Sequence, residues 1–387
     1  MPSGGLGMTL NKYKFGDLIE LNIIKNESCL YGEEDAIGVN IDKVILPMRG
    51  SNDSKNYDKF NLVPPKHFAY NPRGSRKLGL GFNDTEKTYI ITFNDNVFRI
   101  KDSAQNIVLD IYLFMYLSRK EWDRRAEYIS WGSSTEVFDW NIFCDEEIEL
   151  PNLSIQQKYV DIYNSMVANQ QAYKRGLEDL KLTCDAYIEN LRRRIPCERI
   201  GRYITECNAK NDIGLTRDFV RGISTDKEFI DTKANMDGVS LSNYKIVSPN
   251  EIAFISDTSR RGDKISLAIN SSKETYLVSS ISTVFRTNSD HLIPQYLFLF
   301  FLRSEFNRYS RFHSWGSARE TFDWDAMCDV QIPIPDIEIQ KSIAEMYTVY
   351  NKRKKINEQL KAQIKNICPI LIRGSLEDGG EPNGEPA

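Results

Sequence analysis

The stretch LSIQQKYVDIYNSMVANQQAYKRGLEDLKLTCDAYIENLRRR, residues Leu153–Arg194, decides the fold. It contains no proline and a single glycine, Gly176, so nothing in it forces a helix to end. Its apolar residues recur at alternating spacings of about four and three: Ile155, Tyr159, Ile162, Met166, Tyr173, Leu177, Leu180, Cys184, Tyr187 and Leu191. This spacing aligns a narrow apolar stripe on one side, which predicts a long helix in a coiled coil.

A second stretch near the end of the chain, residues 338–372, is predicted to be the partner helix. It repeats the spacing at Ile339, Ile343, Met346, Tyr350, Leu360, Ile364, Ile367 and Leu371. The first three of these lie 184 positions after Ile155, Tyr159 and Ile162. A constant offset indicates an internal duplication. Two such helices in one chain are predicted to pair antiparallel.

The duplication is clearest just before each helix, in two segments that we call the Trp blocks. The first, residues 131–140, reads WGSSTEVFDW, and the second, residues 315–324, reads WGSARETFDW. Upstream, TYIITFNDNVFRI (88–100) and TYLVSSISTVFRT (275–287) alternate as strands do. The predicted fold class is therefore α+β, with two tandem α+β domains that are each followed by a long helix.

These patterns predict the domain boundaries. The first α+β domain is expected at residues 8–152, a central helical region at 153–194, a second α+β domain at 195–336 and a C-terminal helical region at 337–372. Residues 1–7 and 373–387 are rich in Gly, Glu or Pro and are predicted to be flexible tails. At ~1.5 Å per residue, each helix would span roughly 60 Å and could separate the two domains.

Composition excludes several classes of function. The chain has 387 residues and a net charge of −4, so any nucleic-acid site must come from local basic clusters. Its seven cysteines form no C-x-x-C pair and its three histidines stand singly, so neither disulfides nor a metal site are expected. No secretory leader and no bilayer-length apolar run are present, which favours a cytoplasmic protein without a membrane partner.

Motifs for catalysis are missing from the sequence. No G-x-x-x-x-G-K-[ST] phosphate loop occurs. The LGLGF segment at 78–82 lacks the strand–helix unit and the later acidic residue of a dinucleotide site. The chain is therefore predicted to be non-catalytic and to bind no cofactor itself.

Two segments rich in arginine differ between the copies, and we call them the basic loops. The first, residues 72–79, reads PRGSRKLG, and the second, residues 257–264, reads DTSRRGDK. Arginine reads guanine through two hydrogen bonds, whereas serine and lysine anchor phosphates. Shared scaffolding with unlike loops suits a protein that reads two different short DNA sites, although merely exposed loops are the alternative. The candidate DNA contacts are Arg73, Ser75, Arg76 and Lys77 in the first loop and Arg260, Arg261 and Lys264 in the second.

The Trp blocks supply further candidates for DNA contact, namely Ser133, Ser134, Ser317 and Arg319. Trp131 and Trp315 either anchor the end of each domain on its helix or touch DNA directly. Apolar residues outside the helical stripe are predicted to face outward and bind a partner protein. These partner-binding candidates are Val160, Val167, Ile188 and Val349.

The layout resembles the specificity (S) subunit of type I restriction–modification systems. The resemblance covers residues 8–372 and rests on the WGS…FDW blocks, the following strand and proline, and the glutamines Gln156 and Gln340 that open each helix. It implies that each domain reads one half of a bipartite double-stranded DNA target and that the helices set the spacer. It also implies docking of two methyltransferase (M) subunits, which use S-adenosylmethionine, and of motor–nuclease (R) subunits in phage defence.

Three alternatives remain open at the level of sequence. One is the equivalent specificity subunit of a type II system with a fused methyltransferase–nuclease partner. Another is a coiled-coil scaffold that binds proteins and has no role on DNA. A self-sufficient methyltransferase is disfavoured by the missing cofactor motifs. The bases that are read and the spacer length do not follow from the sequence.

Overall fold

The computed structural model of the protein describes residues 10–48, 56–73, 78–130, 137–232, 234–258, 264–288, 290–316 and 320–380. The chain divides into two units. The first unit contains residues Met1–Ala172 and Glu358–Ala387, and the second contains Tyr173–Asn357. The first unit is thus built from both ends of the chain, whereas the second is one continuous segment.

The first unit contains ten strands and four short helices among the described residues, together with parts of two long helices. The strands are β1 Asn11–Lys14, β2 Ile19–Leu21, β3 Ile37–Val39, β4 Ile45–Pro47, β5 Asn61–Val63, β6 Phe68–Asn71, β7 Gly79–Phe82, β8 Tyr89–Ile91, β9 Asn96–Ile100 and β10 Glu147–Leu150. The helices are α1 Phe15–Leu18, α2 Asp110–Leu117, α3 Lys120–Ile129, α4 Trp140–Asp145 and the long α5 Leu153–Arg194.

A four-stranded antiparallel sheet, in the order β2-β9-β6-β7, is the centre of the first unit. Because successive strand residues point to opposite faces, Phe68 and Tyr70 join one core cluster and Ala69 joins another. The larger cluster includes residues of α2, α3 and α4. The smaller one includes residues of the β3–β4 and β5–β8 pairs. The sheet is therefore covered on both faces.

The second unit repeats this topology strand for strand. Its central sheet has the order β12-β19-β16-β17, and β11–β20, β13–β14 and β15–β18 form the accompanying pairs. The strands are β11 Cys197–Arg199, β12 Ile204–Cys207, β13 Arg221–Ile223, β14 Phe229–Asp231, β15 Lys245–Val247, β16 Ile252–Ile255, β17 Leu267–Ile269, β18 Tyr276–Val278, β19 Ser282–Thr287 and β20 Gln331–Pro333. The helices are α6 Pro294–Leu302, α7 Ser304–Phe312, α8 Trp324–Cys328 and the long α9 Ile337–Gly380.

Within each unit, segments of α5 and α9 run antiparallel. In the first unit, the hydroxyl of Tyr159 donates to the carboxylate of Asp378 at 3.0 Å. In the second unit, Cys184 Sγ lies 3.9 Å from Met346 Sδ, and a Cβ placed on Gly176 would lie 2.6 Å from the Arg353 guanidinium. Later residues of α5 thus meet earlier residues of α9. The predicted α+β fold with paired long helices is confirmed.

The apolar stripe of α5 differs in phase from the predicted one. Val160 and Ile188 are 3% and 1% exposed and belong to the cores, whereas Ile162 and Tyr187, which were placed on the stripe, are 41% and 39% exposed. Tyr187 and Ile188 are adjacent apolar residues, and so are Ile162 and Tyr163. The spacing alone does not tell which of two adjacent apolar residues faces the core, because either one continues the alternating spacing of four and three.

The C-terminal helix is longer than predicted. The sequence places a flexible tail at residues 373–387, but α9 continues to Gly380. Tertiary contacts hold the extra turns: Ser375 is buried with its hydroxyl 2.6 Å from that of Tyr112, and Asp378 pairs with Lys158 at 2.7 Å. Such packing stabilises helix where composition alone favours disorder. The correction applies to residues 373–380, since residues 381–387 lie outside the described part.

A buried glutamine joins each long helix to the domain before it. Gln156 accepts a hydrogen bond from Leu109 N at 3.0 Å and donates to the carbonyl oxygens of Ile107 and Pro151, both at 2.8 Å. Gln340 makes the same three bonds 184 positions later, with Ile293 N, His291 O and Pro335 O. Both side chains are fully buried. Each amide thereby satisfies backbone groups that would otherwise be buried without partners.

Candidate nucleic-acid interface

The structure brings the start of each basic loop together with the end of each Trp block. In the first unit, Phe138 N donates to Pro72 O at 2.9 Å. In the second unit, Phe322 N donates to Ser256 O at 2.8 Å. Each bond lies at the base of an isolated antiparallel bridge, Arg73 with Val137 and Asp257 with Thr321. The two segments that sequence reasoning chose separately therefore form one edge of each unit, which we call the loop–block edge.

Side chains reinforce this edge in the second unit. The hydroxyl of Thr258 is buried, and its one hydrogen is shared between Ser314 Oγ at 3.0 Å and Glu320 O at 3.1 Å. The backbones of Trp315 and Thr321 exchange two hydrogen bonds, at 3.0 and 3.1 Å. The base of the second loop is thus held by several groups at once, so its position is defined by the fold.

The downstream end of each basic loop is held by a buried lysine. Lys43 Nζ donates to Leu78 O at 2.5 Å and forms an ion pair with Asp123 of α3 at 2.5 Å. Lys227 Nζ donates to Ile265 O at 3.0 Å and to Asn307 Oδ1 of α7 at 2.7 Å. Both basic loops are therefore anchored at their two ends, one end to the Trp block and the other to a lysine.

The described residues include two of the predicted DNA contacts. Arg73 is exposed, and its backbone N donates to Asn71 Oδ1 at 2.8 Å. Lys264 is also exposed and directly precedes the anchored residue Ile265. The other predicted contacts lie outside the described residues: Ser75, Arg76, Lys77, Ser133, Ser134, Arg260, Arg261, Ser317 and Arg319. Arg73 and Lys264 flank the remainder of their loops, so their assignment as DNA contacts stays a prediction.

The tryptophans of the second Trp block have different surroundings. The Trp315 side chain is 72% exposed although its backbone is paired with Thr321. Trp324, at the other end of the block, packs against the core, with its ring 5.6 Å from that of Phe285. Trp315 therefore does not act as a buried anchor, and its indole is available to a ligand at the loop–block edge. Trp131 lies outside the described residues.

Sequence reasoning missed the two lysine anchors. Lys43 and Lys227 each follow an aspartate, Asp42 and Asp226, and the identical Asp-Lys pairs lie 184 positions apart. Placing the two halves in register would have revealed this pair. Both lysines also have positive backbone φ angles, 60° and 65°. That conformation is uncommon for residues other than glycine, and the two matched hairpin turns share it.

The environments of the two lysines differ in charge. Lys43 has the carboxylate of Asp123 as its partner, whereas the matched position near Lys227 is the neutral Asn307. Burial, with a smaller contribution from the positive charge of Lys264, lowers the pKa of Lys227 from 10.5 to about 7. A neutral amine has two N–H donors, which is sufficient for the two acceptors present.

Replacing Lys227 by methionine should change how the stability of the second unit depends on pH. The unfolded lysine, with a pKa near 10.5, binds more protons than the folded one from about pH 7 to 10.5. Rising pH therefore favours the folded wild type in this window, and the advantage is absent in the variant. Chemical denaturation at several pH values measures the difference. The exposed Lys273 changed to methionine is the control, and parallel pH profiles of Lys227→Met and wild type would contradict the prediction.

The partner-binding residues predicted on the helices require correction. Val160 and Ile188 are buried in the cores and cannot contact a partner, and Val167 is half-buried. Val349 is 43% exposed, as predicted. The exposed large apolar residues on the two long helices are instead Ile162, Leu182, Tyr187, Val349, Ile356 and Ile370. Val349 is thus retained, and the other five take the place of Val160, Val167 and Ile188 as candidates for protein contact.

The described residues also bear on metal binding and thiol chemistry. No group of three or more His, Cys, Asp or Glu side chains there could hold a metal ion. All seven cysteines are unpaired thiols, and burial raises the pKa of Cys207 and Cys368 to about 11. Such thiols are poor nucleophiles at neutral pH. In the same part of the chain, no helix combines the length and the apolar character needed to cross a membrane.

The two units share one topology and carry unlike basic loops at matched positions, so the chain is a tandem duplication. Comparison with known proteins narrows the class of protein. Residues 215–366 match the family model described as "Type I restriction modification DNA specificity domain". This match confirms the resemblance found in the sequence for this part of the chain.

Two known proteins illustrate the similarity. The type I restriction enzyme HindI specificity subunit of Haemophilus influenzae is 23% identical over 121 residues, which are 31% of this chain and 26% of that protein. The match thus spans about a quarter of the length of this relative. The crystal structure of the S subunit of a type I restriction–modification system from M. genitalium superposes with a TM-score of 0.55 at 11% identity. The superposition covers 97% of this chain and 98% of that one, so the two share a fold.

Proposed function

We propose that this chain is the DNA sequence-recognition subunit of a type I restriction–modification complex. The observation that carries the proposal is the duplicated loop–block edge, in which a basic loop and a Trp block meet at matched positions of both units. The Trp blocks WGSSTEVFDW and WGSARETFDW agree at seven of ten positions, while the loop sequences PRGSRKLG and DTSRRGDK differ. Each unit then reads one half of a bipartite target, and unlike loops read unlike halves.

The chemistry of the loops suits double-stranded DNA. Arginine donates two hydrogen bonds to guanine in the major groove, and lysine and serine bind phosphate oxygens. The net charge of −4 is compatible with this role, because partner subunits that surround the duplex can neutralise most of the phosphates. The exposed Trp315 adds an apolar surface beside the second loop. The DNA contacts in this proposal are the loop and block residues named from the sequence.

Catalysis in this proposal belongs to partner subunits. Two methyltransferase subunits, which bind S-adenosylmethionine, dock on the long helices and modify adenine near each half-site. Motor–nuclease subunits join the same complex for cleavage of unmodified DNA. The chain acts in the cytoplasm as the non-catalytic reader, and its paired helices set the unspecified spacer between the half-sites.

The test of this function is the methylation pattern of a host with and without the gene, in the presence of its methyltransferase partner. A bipartite motif that is methylated only when the gene is present supports the proposal. Arg260→Ala should lower the affinity of the complex for that motif by ~1–3 kcal/mol if Arg260 reads a base. The loss should concern the second half-site, so the first half is the internal control. A methylation pattern independent of the gene would overturn the proposal.

Replacing Leu182 by glutamate should weaken assembly with the methyltransferase. Leu182 lies on α5 and is 71% exposed, which is unusual for a large apolar side chain that has no partner to cover it. Because its environment is solvent in the free chain, the change should leave the melting temperature nearly unchanged. Mass measurement of the mixed subunits detects the loss of complex, and Leu182→Met is the control because it remains apolar. Full assembly of the glutamate variant would exclude this surface.

A further inference from the structure

Lys43 and Lys227 occupy the same place in the two units, and both are buried although lysine is normally exposed. The two residues are 9% and 6% exposed. The amino group of each donates a hydrogen bond to a backbone carbonyl at the downstream end of a basic loop. Burying an amine is costly unless it is hydrogen-bonded. The fold accepts this cost twice at matched positions, together with a positive φ angle at each lysine.

The second acceptor of each lysine lies on the amphipathic helix that packs beside the loop. Lys43 pairs with Asp123 of α3, and Lys227 donates to Asn307 of α7. Each lysine therefore connects three elements, namely its own hairpin, the loop end and the helix. A carbonyl held in this way fixes the path of the chain just after the residues that are proposed to contact DNA.

Lys43 and Lys227 differ in their electrostatic environments. Asp123 compensates the charge of Lys43. Around Lys227, the neutral Asn307 and the ring of Phe306, whose centroid lies 5.5 Å from Nζ, come from α7. Among the described loop residues, Lys264 is the charged neighbour that affects the pKa of Lys227. The adjacent acid, Glu228, is engaged with Lys354 of α9 at 2.5 Å. A phosphate that approaches Lys264 would favour the charged form of Lys227 as well.

We propose that Lys43 and Lys227 are positioning residues that fix the downstream ends of the two basic loops, and that the second anchor gains positive charge when DNA binds. This inference rests on the proposed function, since it assigns each lysine to one half-site. It adds a property that the loops alone do not give, because reading of the second half-site becomes sensitive to pH while reading of the first does not. Lowering the pH across neutrality protonates Lys227 and strengthens binding at its half-site.

The first experiment uses the complete complex of this chain with its methyltransferase partner. Affinity is measured for the full target and for two targets in which one half is scrambled. Lys227→Met should reduce discrimination at the second half by about tenfold or more, the size of one lost base contact, and leave the first half unchanged. Lys43→Met should reduce discrimination at the first half and leave the second unchanged, so each variant is the control for the other. Equal losses at both halves, or no loss in either variant, would overturn the positioning role.

A second variant keeps both lysines and tests the charge difference. Asn307→Asp gives Lys227 the carboxylate that Lys43 already has, so the amine should stay charged across neutral pH. The affinity of wild type for the second half should fall as pH rises from about 6 to 8.5, and the variant should remove most of that fall. This comparison also decides the case if Lys227→Met fails to fold. Identical pH profiles for wild type and Asn307→Asp would overturn the inference.

The outcomes separate this inference from the proposed function. If the wild-type complex shows no preference for its target over scrambled DNA, the proposed function fails and the lysine roles fail with it. If the wild type discriminates normally and the lysine and asparagine variants read both halves as the wild type does, only the inference about the lysines fails.

Discussion

Replacing Phe143 by alanine is expected to lower the free energy of unfolding of the first unit by ~3–5 kcal/mol, the range for large aromatic deletions in a core. Phe143 lies in α4 and is 1% exposed. Its ring centroid lies 4.9 Å from that of Phe15, 5.2 Å from Phe138 and 5.6 Å from Trp140. The deletion would leave a cavity between rings that cannot close without moving the sheet or the helices.

The consequence for function follows from where these rings lie. Phe138 and Trp140 are part of the first Trp block, and Phe138 N also holds the base of the first basic loop. We therefore expect Phe143→Ala to impair recognition of the first half-site more than recognition of the second. Denaturant unfolding followed by hydrogen exchange assigns the loss to one unit. Phe93→Ala is the matched control, because Phe93 is 58% exposed and its deletion should cost little. A cost below ~1 kcal/mol for Phe143→Ala would contradict this account.

The second large effect is expected from Gln156→Ala. The side chain is fully buried and makes three hydrogen bonds with Leu109 N, Ile107 O and Pro151 O. Alanine leaves these backbone groups buried without the partners that the amide provides. Each orphaned group costs ~1–3 kcal/mol, so a total loss of ~2–4 kcal/mol is expected after partial entry of water.

The neighbouring residue provides the control for this change. Gln157 is exposed and bonds Asp161 one turn along the same helix, at 2.7 Å. Gln157→Ala should therefore change stability by less than about 0.5 kcal/mol. Thermal unfolding of both variants measures the contrast, and Gln340→Ala should repeat the large effect in the second unit. If the two adjacent substitutions cost the same, the glutamine does not join helix and domain in the way described.

The sequence predicts the elements with strong local signals well. Leu153–Arg194 is helical over its whole length because it contains no proline, good helix formers dominate it and its ends are flanked by Pro151 and Pro196. The duplication is readable because whole motifs repeat at one offset. The α+β class then follows from strand-like alternation before each helix.

The features that sequence reasoning missed depend on tertiary contacts. The phase of the stripe is ambiguous wherever two apolar residues are adjacent, as with Ile162 and Tyr163. The helix continues past residue 372 because Ser375 and Asp378 find partners in the distant segments around Tyr112 and Lys158. The sequence did not predict the buried lysines because lysine is normally assigned to the surface. The carbonyl acceptors that make their burial possible lie 35 and 38 positions away in the chain.

The construction of the first unit from both chain ends has a consequence for biosynthesis. Its hydroxyl pair Tyr112–Ser375 joins residues 263 positions apart, whereas the second unit is continuous. Ribosomes add ~5–20 residues per second, so the second member of this pair is made roughly 13–50 seconds after the first. The second unit can close once residue 357 has emerged, but the first waits for its α9 segment, residues 358–380. During that interval Val160 and its neighbours lack the α9 segment that completes their core, so the nascent chain passes through a period in which chaperones can bind it. A ribosome that stops before these residues are made leaves the first unit without Cys368, Leu371 and Ile372, which complete its core.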